Sequence, residues 1–156
     1  MLVRSKSGFL LSLAGLLGSL ALAGATPANA AAAEAGIGLT LYVWDVDEEG
    51  TWSNGDEVFI SVVHNGFTQR LAPTKGTIDV NESDEGQQVA IPSANPLKFP
   101  LGDRVTIQVW EDDVSGDDLL AEARDVPVEC NRPFSGFTEI TKQKYYKYSF
   151  DGKIVC

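Results

Sequence analysis

Apolar and polar residues alternate with a period of two along much of this chain. In "IGLTLYVWDV" (Ile37 to Val46), Leu39, Leu41 and Val43 face one way and Thr40, Tyr42 and Trp44 the other, the pattern of a half-buried strand. "EVFISVVH" and "FTQRLA" flank Asn65-Gly66, a pair suited to the positive φ angles of a type I′ hairpin turn. "RVTIQVW" alternates from Val105 through Ile107 to Val109, and "LLAEARDVPV" reads as a further strand. Short strands fit at "GTIDV" and "QQVAI", while Pro73, Pro92, Pro96 and Pro100 exclude a long helix from the middle of the chain. Near the C-terminus, "QKYYKYSF" and "KIVC" lie either side of Asp151-Gly152, which predicts a second type I′ turn. No window carries a helical period. The pattern predicts an all-β fold, an antiparallel β-sandwich of seven or eight strands. Trp44, Phe59 and Trp110 lie inside strands and are expected in its core.

The N-terminal thirty residues break this pattern. Arg4 and Lys6 precede the apolar run "FLLSLAGLLGSLALAGA", and "ANA" ends at Ala30. This is the layout of a cleaved signal peptide, so residues 1–30 are expected to be removed, 31–37 to form a flexible tail and 38–156 to form one domain. No other segment is long and apolar enough to span a bilayer. The expected location is therefore extracellular, where disulfides persist. The chain has two cysteines, Cys130 and Cys156, and they are expected to pair.

Charge narrows the partners. The formal charge of −10 becomes −12 when Arg4 and Lys6 leave with the leader. Binding nucleic acid needs a basic face, so nucleic acid is excluded as an expected partner. The bases concentrate late, with Lys142, Lys144, Lys147 and Lys153 interleaved with Tyr145, Tyr146, Tyr148 and Phe150. Lysines in such a strand protect an edge or answer the acidic body.

The acids gather at strand ends. "YVWDVDEEG" and "QVWEDDVSG" share the order Val, Trp, acid, any residue, Asp, two residues, Gly. Carboxylates about 5 Å apart repel by roughly 3 kcal/mol at an effective dielectric of ~20, so a cluster either splays into water or holds a cation. Ca²⁺ takes hard oxygen ligands from acids spaced across a tight turn. "DVDEEGTWSNGD" sets Asp45, Asp47, Glu49 and Asp56 in a spacing similar to an EF-hand loop, although its flanks read as strands.

"VTIQVWEDDVSGDDLLAE" resembles the strand and third loop of a C2 domain, a calcium-dependent β-sandwich module. Glu111, Asp113 and Asp118 match the acids of that pattern, and "DVDEEGTWSNGDEVFISV" resembles the family's first calcium loop, with Asp47 and Asp56 at the matching ends. The chain departs from the pattern in having Glu111 for an Asp and Ala121 for a Gly. The loop spacing and the resemblance together imply Ca²⁺ as the bound ion, held by Asp45, Asp47, Glu49, Asp56, Glu111, Asp113 and Asp118. In the family resembled, apolar loop tips enter a membrane, and Trp52, at the tip of the first loop, is the expected recognition tip for a lipid surface or else for a protein or glycan, with local packing as the alternative.

An enzyme is not indicated. The only histidine, His64, directly precedes the Asn65-Gly66 turn and reads as a solvent-facing strand residue, and no HExxH, GxSxG or phosphate-binding glycine motif occurs. The alternative to a calcium module is a secreted, disulfide-stapled inhibitor or interaction domain that needs no metal.

Overall fold

A computed structural model describes residues 32–46, 55–113, 116–138 and 147–156. The chain divides into two compact units, Met1–Ala30 and Ala31–Cys156, and the expected signal peptide lies outside the described residues. The second unit is all-β and antiparallel. Its strands are β1 (Glu34–Asp45), β2 (Asp56–His64), β3 (Phe67–Ala72), β4 (Ile78–Val80), β5 (Gln87–Val89), β6 (Phe99–Pro100), β7 (Arg104–Glu111), β8 (Asp118–Pro127), β9 (Pro133–Phe137) and β10 (Lys147–Val155). One 3₁₀ turn, Glu82–Asp84, joins β4 to β5. No helix among the described residues is long and apolar enough to cross a membrane.

The strand order is β3-β2-β7-β8-β9-β10-β1-β5, with β4 also on β2 and β6 on β1. The sheet curls as a half-barrel. Curling turns one face of every long strand inward, and the inward residues are those that the alternation marks. Leu41 and Val43 of β1, Val58, Ile60 and Val62 of β2, Val105, Ile107 and Val109 of β7, and Tyr148 and Phe150 of β10 share one core. Fully burying each such side chain stabilises the fold by roughly 1.5–3 kcal/mol relative to exposure.

Four expectations change. Ten strands stand among the described residues where the pattern predicts seven or eight: β6, with two residues, is too short to show a period, and β9, over "PFSGF", carries no clean alternation. The expected loose tail overlaps β1, which starts at Glu34; Ala35 is fully buried and lies opposite Phe99 of β6. Asp151-Gly152 is not a turn, since β10 runs straight through it. Gly152 lies opposite Phe134 and Gly136 opposite Phe150, and a Cβ on either glycine would come within 2.1 Å of the facing phenyl ring. These glycines make room for two rings that meet edge to face at 6.3 Å, a cross-strand use of glycine rather than a bend.

Trp44 is the fourth, at 55% exposed. It follows the polar phase of β1, together with Tyr42. Trp110 and Phe59 are half-buried and opposite each other on β7 and β2. The Trp110 indole donates to Ser61 Oγ at 3.0 Å, and the Arg70 guanidinium lies 4.5 Å from the centroid of the Phe59 ring.

The Asn65-Gly66 hairpin forms as expected, with φ of 50° and 80°. Cys130 and Cys156 are joined, tying the end of β10 to the connection between β8 and β9. In the chain-entropy account, closing a loop of this length stabilises the fold by roughly 3.5 kcal/mol.

Candidate functional site

The sheet register decides whether the acidic segments can meet. β2 and β7 are antiparallel with Val58 opposite Glu111, so the start of β2 adjoins the end of β7. Asp118 opens β8 directly opposite Glu111. The Asp112 amide donates to the Glu57 carbonyl at 2.7 Å, and Gly116 N to the Asp113 carbonyl at 3.1 Å. Asp56, Glu111, Asp113 and Asp118 therefore belong to one end of the sheet.

Asp45 joins that end through β10. Lys147 lies opposite Asp45 across a register shift, and Tyr148 opposite Val43. The Tyr148 hydroxyl donates to Asp56 Oδ2. Asp56 is 1% exposed and so is Tyr148, and this phenol–carboxylate bond pins the start of β2 to the β1–β10 pair. A buried carboxylate is costly unless hydrogen-bonded, and here a buried tyrosine supplies a donor. Gly55 sets up the approach. Its φ is +100°, and a Cβ there would lie 1.9 Å from the Val80 carbonyl oxygen, so only glycine lets the chain enter β2 against the end of β4.

A third acidic segment completes the same end, one that the sequence reading did not assign. Asp56 lies opposite Val80 of β4, and Val43 opposite Gln87 of β5, so the 3₁₀ turn between β4 and β5 sits beside both. The Asn81 amide donates to Asp84 Oδ2 at 2.9 Å, and the Val46 amide to Glu85 Oε1 at 3.2 Å. The signal was present as "NESDEG" (Asn81 to Gly86), where Asn followed by Asp three residues on suits a short capped turn.

Asp47, Glu49 and Trp52 lie outside the described residues. Among the described residues, no three His, Cys, Asp or Glu side chains stand close enough to hold a metal ion. Asp45, Asp56, Glu111 and Asp113 each take part in interactions of their own, so an arriving ion would exchange partners with them.

His64 is at the opposite end, where β2 stops and β7 starts. It is half-buried rather than solvent-facing: its Nε2 lies 2.7 Å from Asp103 Oδ2, and its ring meets Phe99 edge to face at 5.3 Å. Arg104 binds the side chain and carbonyl of Asp125 at that same end. The hydrogen bond from Arg104 holds the Asp125 carboxyl below its ordinary range, because it favours the charged form.

No protein-family model matches the chain, and no curated protein matches it.

Proposed function

We propose that the chain is an exported, non-enzymatic β-domain that binds Ca²⁺ through the carboxylates gathered at one end of its sheet. In this reading Asp45, Asp56, Glu111, Asp113 and Asp118 supply oxygens, and Asp47 and Glu49 supply the remainder. The curled sheet then acts as a C2-like sandwich whose loops share one pole, with Trp52 as the recognition tip. The observation that carries the reading is the register of β7 between β2 and β8, which brings strand ends distant in sequence to one place. Asp56 suits a hard cation: an ionised carboxylate has about four lone-pair sites, so accepting the Tyr148 hydroxyl does not exhaust it.

Ca²⁺ bound at a hundredfold over its dissociation constant raises stability by about 2.7 kcal/mol. The test is a thermal melt in EDTA against millimolar Ca²⁺, with isothermal titration of the same sample. The expected result is a higher melting temperature with Ca²⁺, abolished in Asp56→Asn together with Asp113→Asn. Identical melts in both buffers and no titration heat would refute the ion site.

A second reading is a metal-independent, disulfide-stapled inhibitor or interaction domain. The observation favouring it is the Cys130–Cys156 disulfide, which ties the end of β10 to the connection between β8 and β9 with no need of an ion. Identical melts in both buffers would select it.

A further inference from the structure

Strand β1 is paired along nearly its whole length on the β10 side but only in two places on the other. The Ile154 amide donates to the Arg132 carbonyl and the Ile154 carbonyl accepts from the Asn131 amide, both at 2.9 Å, so Ile154 turns its backbone polar groups away from β1. Successive residues of a strand alternate in this respect. Val155, Lys153, Asp151 and Ser149 therefore point to β1, where they lie opposite Gly36, Gly38, Thr40 and Tyr42. The residues of β1 between these point the other way. There Ala35 meets Phe99 of β6, and Leu41 and Val43 meet Val89 and Gln87 of β5. Ile37 and Leu39 face no strand among the described residues on that side, and no described turn or loop backbone bonds to them.

The chain that would fill this stretch is diverted to β3. Residues 90–98 run from β5 to β6, but Asn95 N donates to the Leu71 carbonyl at 2.7 Å, Asn95 Nδ2 to the Arg70 carbonyl at 2.8 Å, and Thr74 N to Ser93 Oγ at 3.2 Å. Pro92 and Pro96 within it carry no N–H to complete a ladder. Burial records the opening: Ala35 and Leu41 are 0% exposed, whereas residues 36–40 between them are all half-buried. From Ala35 to Leu41 an antiparallel strand rises about 20 Å, so the ends of β6 and β5 bound a recess that fits one short strand. Two amides and two carbonyls spaced along a strand edge are the complement of another extended backbone, whose groups repeat at the same interval. A second copy of this chain does not fit, because its own recess is walled in the same way and two recessed edges cannot meet.

Side chains narrow the partner. Ile37 and Leu39 pack against the core, so partner residues opposite them are apolar. Gly38, between them, is not at positive φ, and a Cβ there would make ordinary contact with Val155 Cγ2 at 3.5 Å. The fold itself does not require this glycine, and an interior strand glycine marks the close approach of another chain. Gly136 and Gly152 each face a phenyl ring on the next strand, and a large residue suits the position opposite Gly38 in the same way. Lys98 beside Gly36 and Lys153 opposite Gly38 are balanced by Glu34 and by Asp151 opposite Thr40, which suits an uncharged segment. We propose that the edge of β1 at Ile37 and Leu39 takes up an extended, uncharged segment of a partner polypeptide as an added strand, antiparallel like β5 and β6. Apolar residues of the segment lie opposite Ile37 and Leu39, with a large residue between them. This edge is separate from the carboxylates of the acidic end and needs no metal ion.

The test starts from amide hydrogen exchange of the full-length chain, read by NMR. In the free protein the Ile37 and Leu39 amides are expected to exchange about tenfold or more faster than those of Gly38 and Thr40, which bond β10. The peptide acetyl-Thr-Val-Tyr-Val-Thr-amide is then titrated in EDTA and in Ca²⁺, and is expected to shift and protect those two amides in both buffers. N-methylation of both valines removes the donors aimed at β1 and is expected to weaken binding roughly tenfold or more. N-methylation of the tyrosine, whose N–H points away from β1, is expected to leave it unchanged. Leu39→Pro removes an N–H of this edge but no bond to β10, and is expected to abolish binding. Circular dichroism establishes whether that variant is folded, and the methylated peptides decide the matter if it is not. The proposal is overturned if the Ile37 and Leu39 amides exchange as slowly as their neighbours, if the peptide leaves their signals unmoved up to millimolar concentration, or if the valine-methylated peptide binds as well as the parent. Peptide binding without a calcium-dependent melt would sink the ion site and leave this one standing.

Discussion

Replacing Tyr148 by Phe isolates the bond that fixes the acidic end. The ring is 1% exposed, and its hydroxyl donates to Asp56, itself 1% exposed. The substitution keeps the ring and its packing and removes the donor. A hydrogen bond to a charged group contributes about 1.5–3 kcal/mol net, and removing one partner exposes the desolvation cost of the other. For a domain of this size, 1 kcal/mol corresponds to about 3–5 °C in melting temperature, so Tyr148→Phe should melt roughly 5–15 °C lower. Urea unfolding at constant pH should give an earlier midpoint with an unchanged slope. Asp56→Asn and the double variant close a cycle, whose coupling term should be at least about 1 kcal/mol. A Tyr148→Phe melt within about 1 °C of wild type would refute the claim that this hydroxyl stabilises the buried carboxylate.

Gly55→Ala should destabilise by at least about 2 kcal/mol, through its positive φ and the approach to the Val80 carbonyl, and a urea midpoint equal to wild type would contradict the geometry. Replacing Cys130 and Cys156 together by Ala should cost about 2–5 kcal/mol, read as the difference in unfolding free energy between the two proteins. The Asp125 carboxyl, held low chiefly by its hydrogen bond from Arg104, should titrate by NMR below the ordinary aspartate value and move up towards it in Arg104→Gln. Because that folded-state pKa is depressed, the pair's contribution is present above the unfolded-state pKa and is lost as pH falls through the folded one. Both side chains are exposed, so the titration rather than the melting temperature is the informative measurement.

The local order of the chain determined strand identity and facing. Period-two alternation in "LTLYVW" and "RVTIQVW" encodes which residues enter the core, since successive side chains of a strand point to opposite sides. The Asn65-Gly66 turn and the cysteine pair were equally legible, because each depends on residue chemistry that few alternatives satisfy. Tertiary structure decided the rest. Asp151-Gly152 reads locally as a turn, but the glycine answers a phenyl ring contributed by β9. Trp44 reads as a core residue by size, yet its phase on β1 puts it outside beside Ser149 of β10. The meeting of Asp56 with Tyr148, 92 residues apart, depends on which strands become neighbours. That choice is set by non-local pairing energies summed over the whole sheet, which no short window of sequence contains.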